Sequence, residues 1–94
     1  MKLLICDDEQ TILQGIEGMI KHSPLAKDID DIALASNGFE AYQWIITEEP
    51  EIIFMDIDMP GLTGIEIMEK VQDLKIQSTF IIVSGYDKFT YAQR

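Results

Sequence analysis

Short apolar runs alternate along the chain with stretches of helical periodicity. Three four-residue runs, at 3–6, 52–55 and 80–83, are bulky or β-branched and lack alternation. Such runs are typical of strands that are covered on both faces of a parallel sheet. A weaker run at 32–35 has mixed character and predicts an edge strand. In chain order, these runs predict strands β1 (3–6), β2 (32–35), β3 (52–55) and β4 (80–83).

The stretches between the strands have the spacing and end signals of helices. The first, α1, is predicted to end at Ser23-Pro24. The second, α2, begins near Asn37, which with Glu40 resembles a capping box, and the third, α3, begins with the Thr63 and Glu66 capping box. A segment from about Asp87 resembles the start of a fourth helix. The predicted apolar faces are Ile12, Ile16, Met19 and Ile20 in α1, Ala41, Tyr42, Ile45 and Ile46 in α2, and Ile67, Met68, Val71 and Leu74 in α3.

This alternation predicts an α/β protein with a doubly wound parallel sheet built from right-handed βαβ units. Ligands of such sheets bind beyond the carboxyl ends of the strands, where the strand order reverses. The length of 94 residues predicts a single domain, and a hydrophobic fraction of 47% is too high for a disordered chain. No apolar run approaches the roughly 18 residues that a membrane span needs.

Charge and cysteine content narrow the function. Seventeen acidic residues against seven basic ones give a net charge of −10, which disfavours contact with nucleic acid phosphates and favours cations and basic partner surfaces. The single cysteine excludes a disulfide framework and a multi-cysteine metal site. It also fits the reducing environment of a cytoplasmic protein.

Acidic residues follow two of the predicted strands. Asp7 and Asp8 come after β1, and Asp56 and Asp58 come after β3, while Ser84 follows β4. The carboxyl ends of neighbouring parallel strands lie about 5 Å apart, so these side chains should converge. Two like charges 4 Å apart repel by about 4 kcal/mol at an effective dielectric constant of 20, so protons or a cation must share the site. Oxygen ligands without histidine or cysteine favour Mg²⁺.

The same strand ends carry several motifs in a fixed order. Leu-Leu-Ile-Cys-Asp-Asp-Glu occupies 3–9, and Asp-Ile-Asp-Met-Pro-Gly occupies 56–61 with Gly64 beyond it. Ser-Gly stands at 84–85, and Asn-Gly stands at 37–38 before α2. In these residues the whole chain resembles the receiver domain of bacterial two-component response regulators. The resemblance implies a flavodoxin-like fold with strand order 2-1-3-4 and a signalling domain rather than an enzyme.

The resemblance also implies roles for individual residues. Asp56 would be the phosphoacceptor that takes a phosphoryl group from a sensor histidine kinase. Asp8 and Asp56 would bind Mg²⁺ through their side chains, Asp7 largely through water, and Asp58 through its backbone carbonyl. Ser84 would hydrogen-bond the phosphoryl oxygen and pull the loop after β4 inward as the switch, and Gly85 would keep that loop close to the site.

One feature of the family is missing from the sequence. The family has an invariant lysine at the end of a fifth strand, and the chain stops at Arg94 before that strand, so no lysine here matches it. We therefore expect a receiver domain, residues 1–94, that is incomplete after the start of the fourth helix and lacks the fifth strand, the last helix and the output domain. Phosphorylation of this piece should be weak or abolished, and the open β4 edge or the fourth-helix region could support a homodimer.

The segment at 84–92 further resembles regulators whose output domain is an AraC-type helix-turn-helix. DNA would then be contacted only through that absent output domain, and no membrane contact is expected.

Three alternatives share part of the pattern. A haloacid-dehalogenase-like phosphatase also uses Asp-x-Asp after a hydrophobic strand, but its motif belongs to the first strand and would leave the acidic pair at 7–8 unexplained. A flavin-binding flavodoxin-like module needs a phosphate loop rich in Ser, Thr and Gly after β1, where this chain has acids. A receiver-like interaction module that no longer accepts phosphate is favoured by the missing lysine and disfavoured by the intact acidic residues.

Overall fold

The computed structural model describes residues 1–57, 59 and 61–83, which form alternating strands and helices. The predicted fourth helix near Asp87 lies outside this part of the chain. None of the described helices is long and apolar enough to cross a membrane. The elements are β1 (Lys2–Cys6), α1 (Gln10–Lys21), a 3₁₀ helix (Pro24–Asp28), β2 (Asp31–Ala35), α2 (Gly38–Glu48), β3 (Ile52–Asp56), α3 (Gly64–Asp73) and β4 (Thr79–Val83).

The four strands form one parallel sheet in the order β2-β1-β3-β4, which confirms the predicted fold and strand order. The chain passes from β1 outward to β2 and then returns to the other side of β1 for β3. The order therefore reverses between β1 and β3. In the register of the sheet, Cys6 of β1 lies beside Ala35 of β2 and Met55 of β3.

Successive residues of β1 enter two separate cores on opposite faces of the sheet. Leu3 and Ile5 pack with Leu13 and Ile20 of α1. Leu4 and its neighbour Cys6 belong to the larger cluster on the other face, to which α2 and α3 contribute. The residues of these helices in the larger cluster are Ala41, Ile45, Ile67 and Val71. The sheet is thus covered on both faces at its centre, as the unbroken apolar run predicted.

The predicted buried face of α1 is partly wrong. Met19 is 73% exposed, whereas Leu13, which the periodicity omitted, is fully buried. The contact with the sheet runs along Leu13, Ile16 and Ile20, at spacings of three and four residues. The helix carries more apolar residues than its contact with the sheet can cover, so spacing alone does not identify the buried ones.

The apolar faces of α2 and α3 need smaller corrections. Ile46 and Leu74 are exposed, and Leu74 is the cap residue that follows the last turn of α3. Trp44, which the predicted face of α2 left out, packs against the larger core cluster instead. In both helices the centre of the predicted face is correct, and the residues at its margins are not.

The helix-start signals are present in the structure. The Asn37 side chain accepts a hydrogen bond from the backbone N–H of Glu40, at 2.8 Å. At α3 the capping box is reciprocal, because the backbone N–H of Thr63 donates to Glu66 Oε1 and that of Glu66 donates to Thr63 Oγ1, at 3.1 and 3.2 Å. After α1, Ser23-Pro24 leads into the 3₁₀ helix, which the sequence did not predict.

β4 differs from the other predicted buried strands. Ile81 and Ile82, whose side chains point to opposite faces of the sheet, are 41% and 37% exposed. Among the described residues β3 is the only strand that pairs with β4. The apolar run at 80–83 therefore correctly predicted a strand. Whether the faces of that strand are covered depends on other elements, which the run does not specify.

Replacing Gly15 tests the account of α1, because this glycine is exposed in mid-helix and a Cβ built there meets no atom within 4 Å. We expect Gly15→Ala to raise the free energy of unfolding by up to about 1 kcal/mol, since alanine has the higher helix propensity. Urea denaturation would measure the change, with the exposed neighbour Gln14→Ala as a control that should change stability much less. A Gly15→Ala protein less stable than the parent would contradict the assigned helix.

Candidate functional site

The register of the sheet brings Asp7 and Asp56 together at the carboxyl ends of β1 and β3. Asp56 is the last residue of β3 and lies beside Val83, so the strand is one residue longer than its apolar run. Asp7 follows β1, and its backbone N–H donates to the carbonyl oxygen of Ala35 at 3.1 Å. Both aspartates are buried, with 2% exposure for Asp7 and 0% for Asp56.

Asp8 completes a group of three carboxylates at this edge. One carboxylate oxygen from each of Asp7, Asp8 and Asp56 lies within 4.8 Å of the others. Asp8 is exposed, so the group is open to solvent on one side while the other two carboxylates are held in the protein. Asp7 Oδ1 also accepts a hydrogen bond from the backbone N–H of Glu9, at 2.9 Å, which fixes the turn into α1. The arrangement offers hard oxygen ligands to a cation that can keep some of its water.

The loop between β3 and α3 borders this acidic group and is held in place at both ends. The backbone N–H of Gly64 donates to the carbonyl oxygen of Ile57 at 2.8 Å, which closes the loop at its base. Met59 is buried in the larger core cluster, and Leu62 packs against that cluster. Gly61 has a φ of 85°, a left-handed conformation that glycine adopts without strain.

The first turn of α2 packs against the far half of the same loop. A Cβ built on Gly38 would lie 1.9 Å from the carbonyl oxygen of Leu62, so only glycine allows this approach. A Cβ built on Gly61 would lie 2.7 Å from Cδ2 of Phe39, so the Phe39 ring lies directly against the Gly61 backbone. Helix α2 and the loop therefore meet through two contacts that depend on the absence of side-chain atoms.

Cys6 precedes Asp7 in the chain but is not part of the group whose ligand atoms come together at this edge. Burial raises the pKa of its thiol far above the usual value, and the negative charges of Glu40 and Asp7 raise this pKa further. The thiol therefore stays protonated at neutral pH. Cys6 belongs to the larger core cluster, as expected for the last residue of the covered run at 3–6.

The structure thus brings together three of the residues that the sequence singled out, Asp7, Asp8 and Asp56. Asp58, Ser84 and Gly85 lie outside the described residues. Sequence reasoning missed the part played by Gly38 and Phe39, which contact the loop that follows Asp56. The Asn-Gly pair before α2 was visible as a helix start, but nothing in the sequence indicated which backbone it approaches.

A comparison with protein families identifies the class of this chain. The model of the response regulator receiver domain matches residues 3–94. The chain therefore belongs to the receiver domains of two-component response regulators, as its motifs predicted.

Curated relatives are regulatory proteins of greater length. An uncharacterized transcriptional regulatory protein of Bacillus subtilis (strain 168), YesN, is 39% identical over 92 residues, which cover 98% of this chain and 24% of the relative. The transcriptional regulatory protein HptR of Staphylococcus aureus (strain NCTC 8325) is 33% identical over 90 residues, covering 96% of this chain and 34% of that protein. The chain thus spans about a quarter to a third of the length of these relatives.

Solved structures share the fold over nearly the whole chain. The REC domain of AraT, a response regulator from Geobacillus stearothermophilus, has a TM-score of 0.79 and 30% identity, covering 98% of this chain and 70% of that one. A two-component transcriptional regulator AraC from Clostridium phytofermentans has a TM-score of 0.78 and 28% identity, with coverage of 99% and 70%.

Proposed function

We propose that this chain accepts a phosphoryl group on Asp56 from a histidine kinase and thereby switches the activity of an output domain. The observation that carries the proposal is the cluster of Asp7, Asp8 and Asp56 at the point where the strand order reverses. Membership in the receiver family supports it, because phosphotransfer is the task that the family's acidic residues serve.

The proposed chemistry is an in-line displacement at phosphorus. A carboxylate oxygen of Asp56 forms the new P–O bond while the P–N bond to the kinase histidine breaks, and the released imidazole nitrogen takes up a proton. Burial of Asp56 at the end of a rigid strand holds the nucleophile in one orientation. The product is an aspartyl phosphate. Ser84 would hydrogen-bond its phosphoryl oxygen, and Gly85 would keep the loop after β4 close to it.

The acidic cluster fits Mg²⁺ through the chemistry of its donors. Asp8 and Asp56 would bind through carboxylate oxygens, Asp7 largely through water, and Asp58 through its backbone carbonyl. When bound, the ion neutralises negative charge on the transferred phosphoryl group. The protein's own part is to hold the three carboxylates within reach of one another, with Asp8 on the side open to solvent.

For the output we propose transcription control through a DNA-binding domain of the AraC helix-turn-helix type. The B. subtilis and S. aureus relatives are both described as transcriptional regulatory proteins. With a net charge of −10 this chain is unsuited to contact DNA phosphates, which supports contact with DNA through another domain.

Phosphodonor treatment tests the role of Asp56. Acetyl phosphate with Mg²⁺ should give a labile mass increase of about 80 Da, the mass of one phosphoryl group, as expected for an aspartyl phosphate. Borohydride trapping and peptide mapping should place it on Asp56, and Asp56→Asn should remove it. Label that persists in Asp56→Asn, or label that maps to another residue, would refute the assignment.

Replacing Asp8 tests the metal site. Asp8→Ala should weaken Mg²⁺ binding by about tenfold or more, because ligand charge largely sets the affinity of a carboxylate site. Titration calorimetry would measure this, with Asp73→Ala at the end of α3 as a control that removes the same charge elsewhere. Without Mg²⁺, Asp8→Ala should not lower the free energy of unfolding, since one of three like charges is gone. Equal Mg²⁺ affinities for the parent and Asp8→Ala would show that the site is misassigned.

We also propose that β4 supports self-association of the 94-residue chain. The strand Thr79–Val83 contains no charged residue or proline, and its edge away from β3 has no partner among the described residues. The opposite edge strand, β2, begins with Asp31 and follows Asp30, and such charges oppose pairing with a second chain. Of the two edges, β4 is therefore the one suited to pair with another copy.

Light scattering after size exclusion would test this proposal. The parent chain should form dimers, and Ile82→Lys should shift it toward monomer, because a charge on an edge strand opposes edge-to-edge pairing. Ile46→Lys is the matched control, since Ile46 on α2 has the same 37% exposure as Ile82. A monodisperse parent monomer, with slowly exchanging amides at 80–83, would contradict the proposal.

A further inference from the structure

Phe39 is a large apolar side chain in an unusual place. It is the second residue of α2 and is 65% exposed, although it lies at the end of the molecule that carries the acidic cluster. The edge of the Phe39 ring packs against the backbone of Gly61. A Cβ built on Gly61 would lie only 2.7 Å from Cδ2 and 2.8 Å from Cε2 of the ring. The ring thus lies against the loop that follows Asp56.

The contacts that the described residues make with this loop differ in how they can be removed. The Gly64 to Ile57 hydrogen bond and the Gly38 to Leu62 approach are made by the backbone. The burial of Met59 is part of the core, so its loss would unfold more than the loop. The Phe39 contact with Gly61 is made by a mostly exposed side chain, which can be removed with little damage to the core.

We propose that Phe39 is a positioning residue for the acidic site, acting through Gly61 on the loop between β3 and α3. The inference rests on the proposed function, in which this loop supplies a backbone carbonyl to Mg²⁺. Gly61 has a left-handed φ of 85° and no side chain, so any side-chain packing at this residue must come from another part of the chain. The Phe39 ring supplies that contact from α2, whose own start is fixed by the Asn37 cap.

Removing the ring should therefore alter metal binding more than stability. Groups that orient metal ligands typically change affinity by 10- to 100-fold when lost, and Phe39 acts one contact further away, so Phe39→Ala should weaken Mg²⁺ binding by about three- to tenfold. Phe39→Tyr retains the ring and should restore the affinity, whereas Phe39→Leu should restore it only in part.

Titration calorimetry on the 94-residue chain with MgCl₂, beside urea denaturation, would measure both effects. Leu74→Ala serves as the matched control, because Leu74 is also an exposed apolar residue but lies past the opposite end of α3. We expect unchanged Mg²⁺ affinity in Leu74→Ala. A drop in affinity with an unchanged urea midpoint in Phe39→Ala, and recovery in Phe39→Tyr, would support the positioning role.

The outcomes separate this inference from the proposed function. If the parent binds Mg²⁺ and Asp8→Ala does not, but Phe39→Ala binds as the parent does, the positioning role is refuted and the metal site stands. Weaker binding in Phe39→Ala that Phe39→Tyr fails to restore would also refute it, since the ring is the part that contacts Gly61. A parent that binds no Mg²⁺ would remove the proposed metal site and, with it, the role assigned to Phe39.

A double-mutant cycle tests the contact itself without any metal. Gly61→Ala places a methyl group where the Phe39 ring lies, so its effect on the urea midpoint should be larger with Phe39 present than in the Phe39→Ala background. Any decrease in the urea midpoint that Gly61→Ala still causes in the Phe39→Ala background would report the backbone strain at residue 61. Strictly additive effects would show that the ring and Gly61 do not interact, and would refute the proposal.

Discussion

The close approach of the carboxylates of Asp7 and Asp56 is the constraint on which the rest of the site depends. It follows from the register, because Cys6 of β1 lies beside Met55 of β3 and the next residue of each strand is an aspartate. The oxygens of the group lie within 4.8 Å of one another, and at that upper limit two charges repel by about 3.5 kcal/mol at an effective dielectric constant of 20. Burying one leucine or isoleucine contributes about 1.5–3 kcal/mol, and β1 buries three of them, so the apolar strand can hold the two charges together.

The same constraint explains why the surroundings of the site are so closely packed. Carboxylates gathered in one place would move apart unless the backbone around them were fixed. Backbone hydrogen bonds fix Asp7 to β2, and the sheet fixes Asp56 beside Val83. The loop after Asp56 is then held between α3, through the capping box of its first turn, and α2, through contacts at two glycines. Rigid elements on both sides thus support this group of charges.

The two edge strands of the described sheet differ in charge and in the exposure of apolar residues. β2 begins with Asp31, and Asp30 just before it forms an ion pair with the amino group of Met1. β4 is uncharged and keeps exposed isoleucines on both faces. The solved receiver structures extend beyond the part matched here, which covers about 70% of their length. The charged edge needs no neighbour, whereas the apolar edge has the composition of a strand inside a larger sheet.

Local signals in the sequence determined the four strands, the three α-helices and the identity of the three clustered aspartates, and the family resemblance supplied the strand order. Unbroken apolar runs predict central strands, and an Asn or Thr with a Glu three residues on predicts a helix start, because these features act over a few neighbouring residues. Only the tertiary structure decided which apolar residues of α1 are buried, that Asp56 ends a strand rather than following it, and that Phe39 lies against Gly61. These features depend on distances between segments far apart in the chain, and periodicity carries no information about such distances.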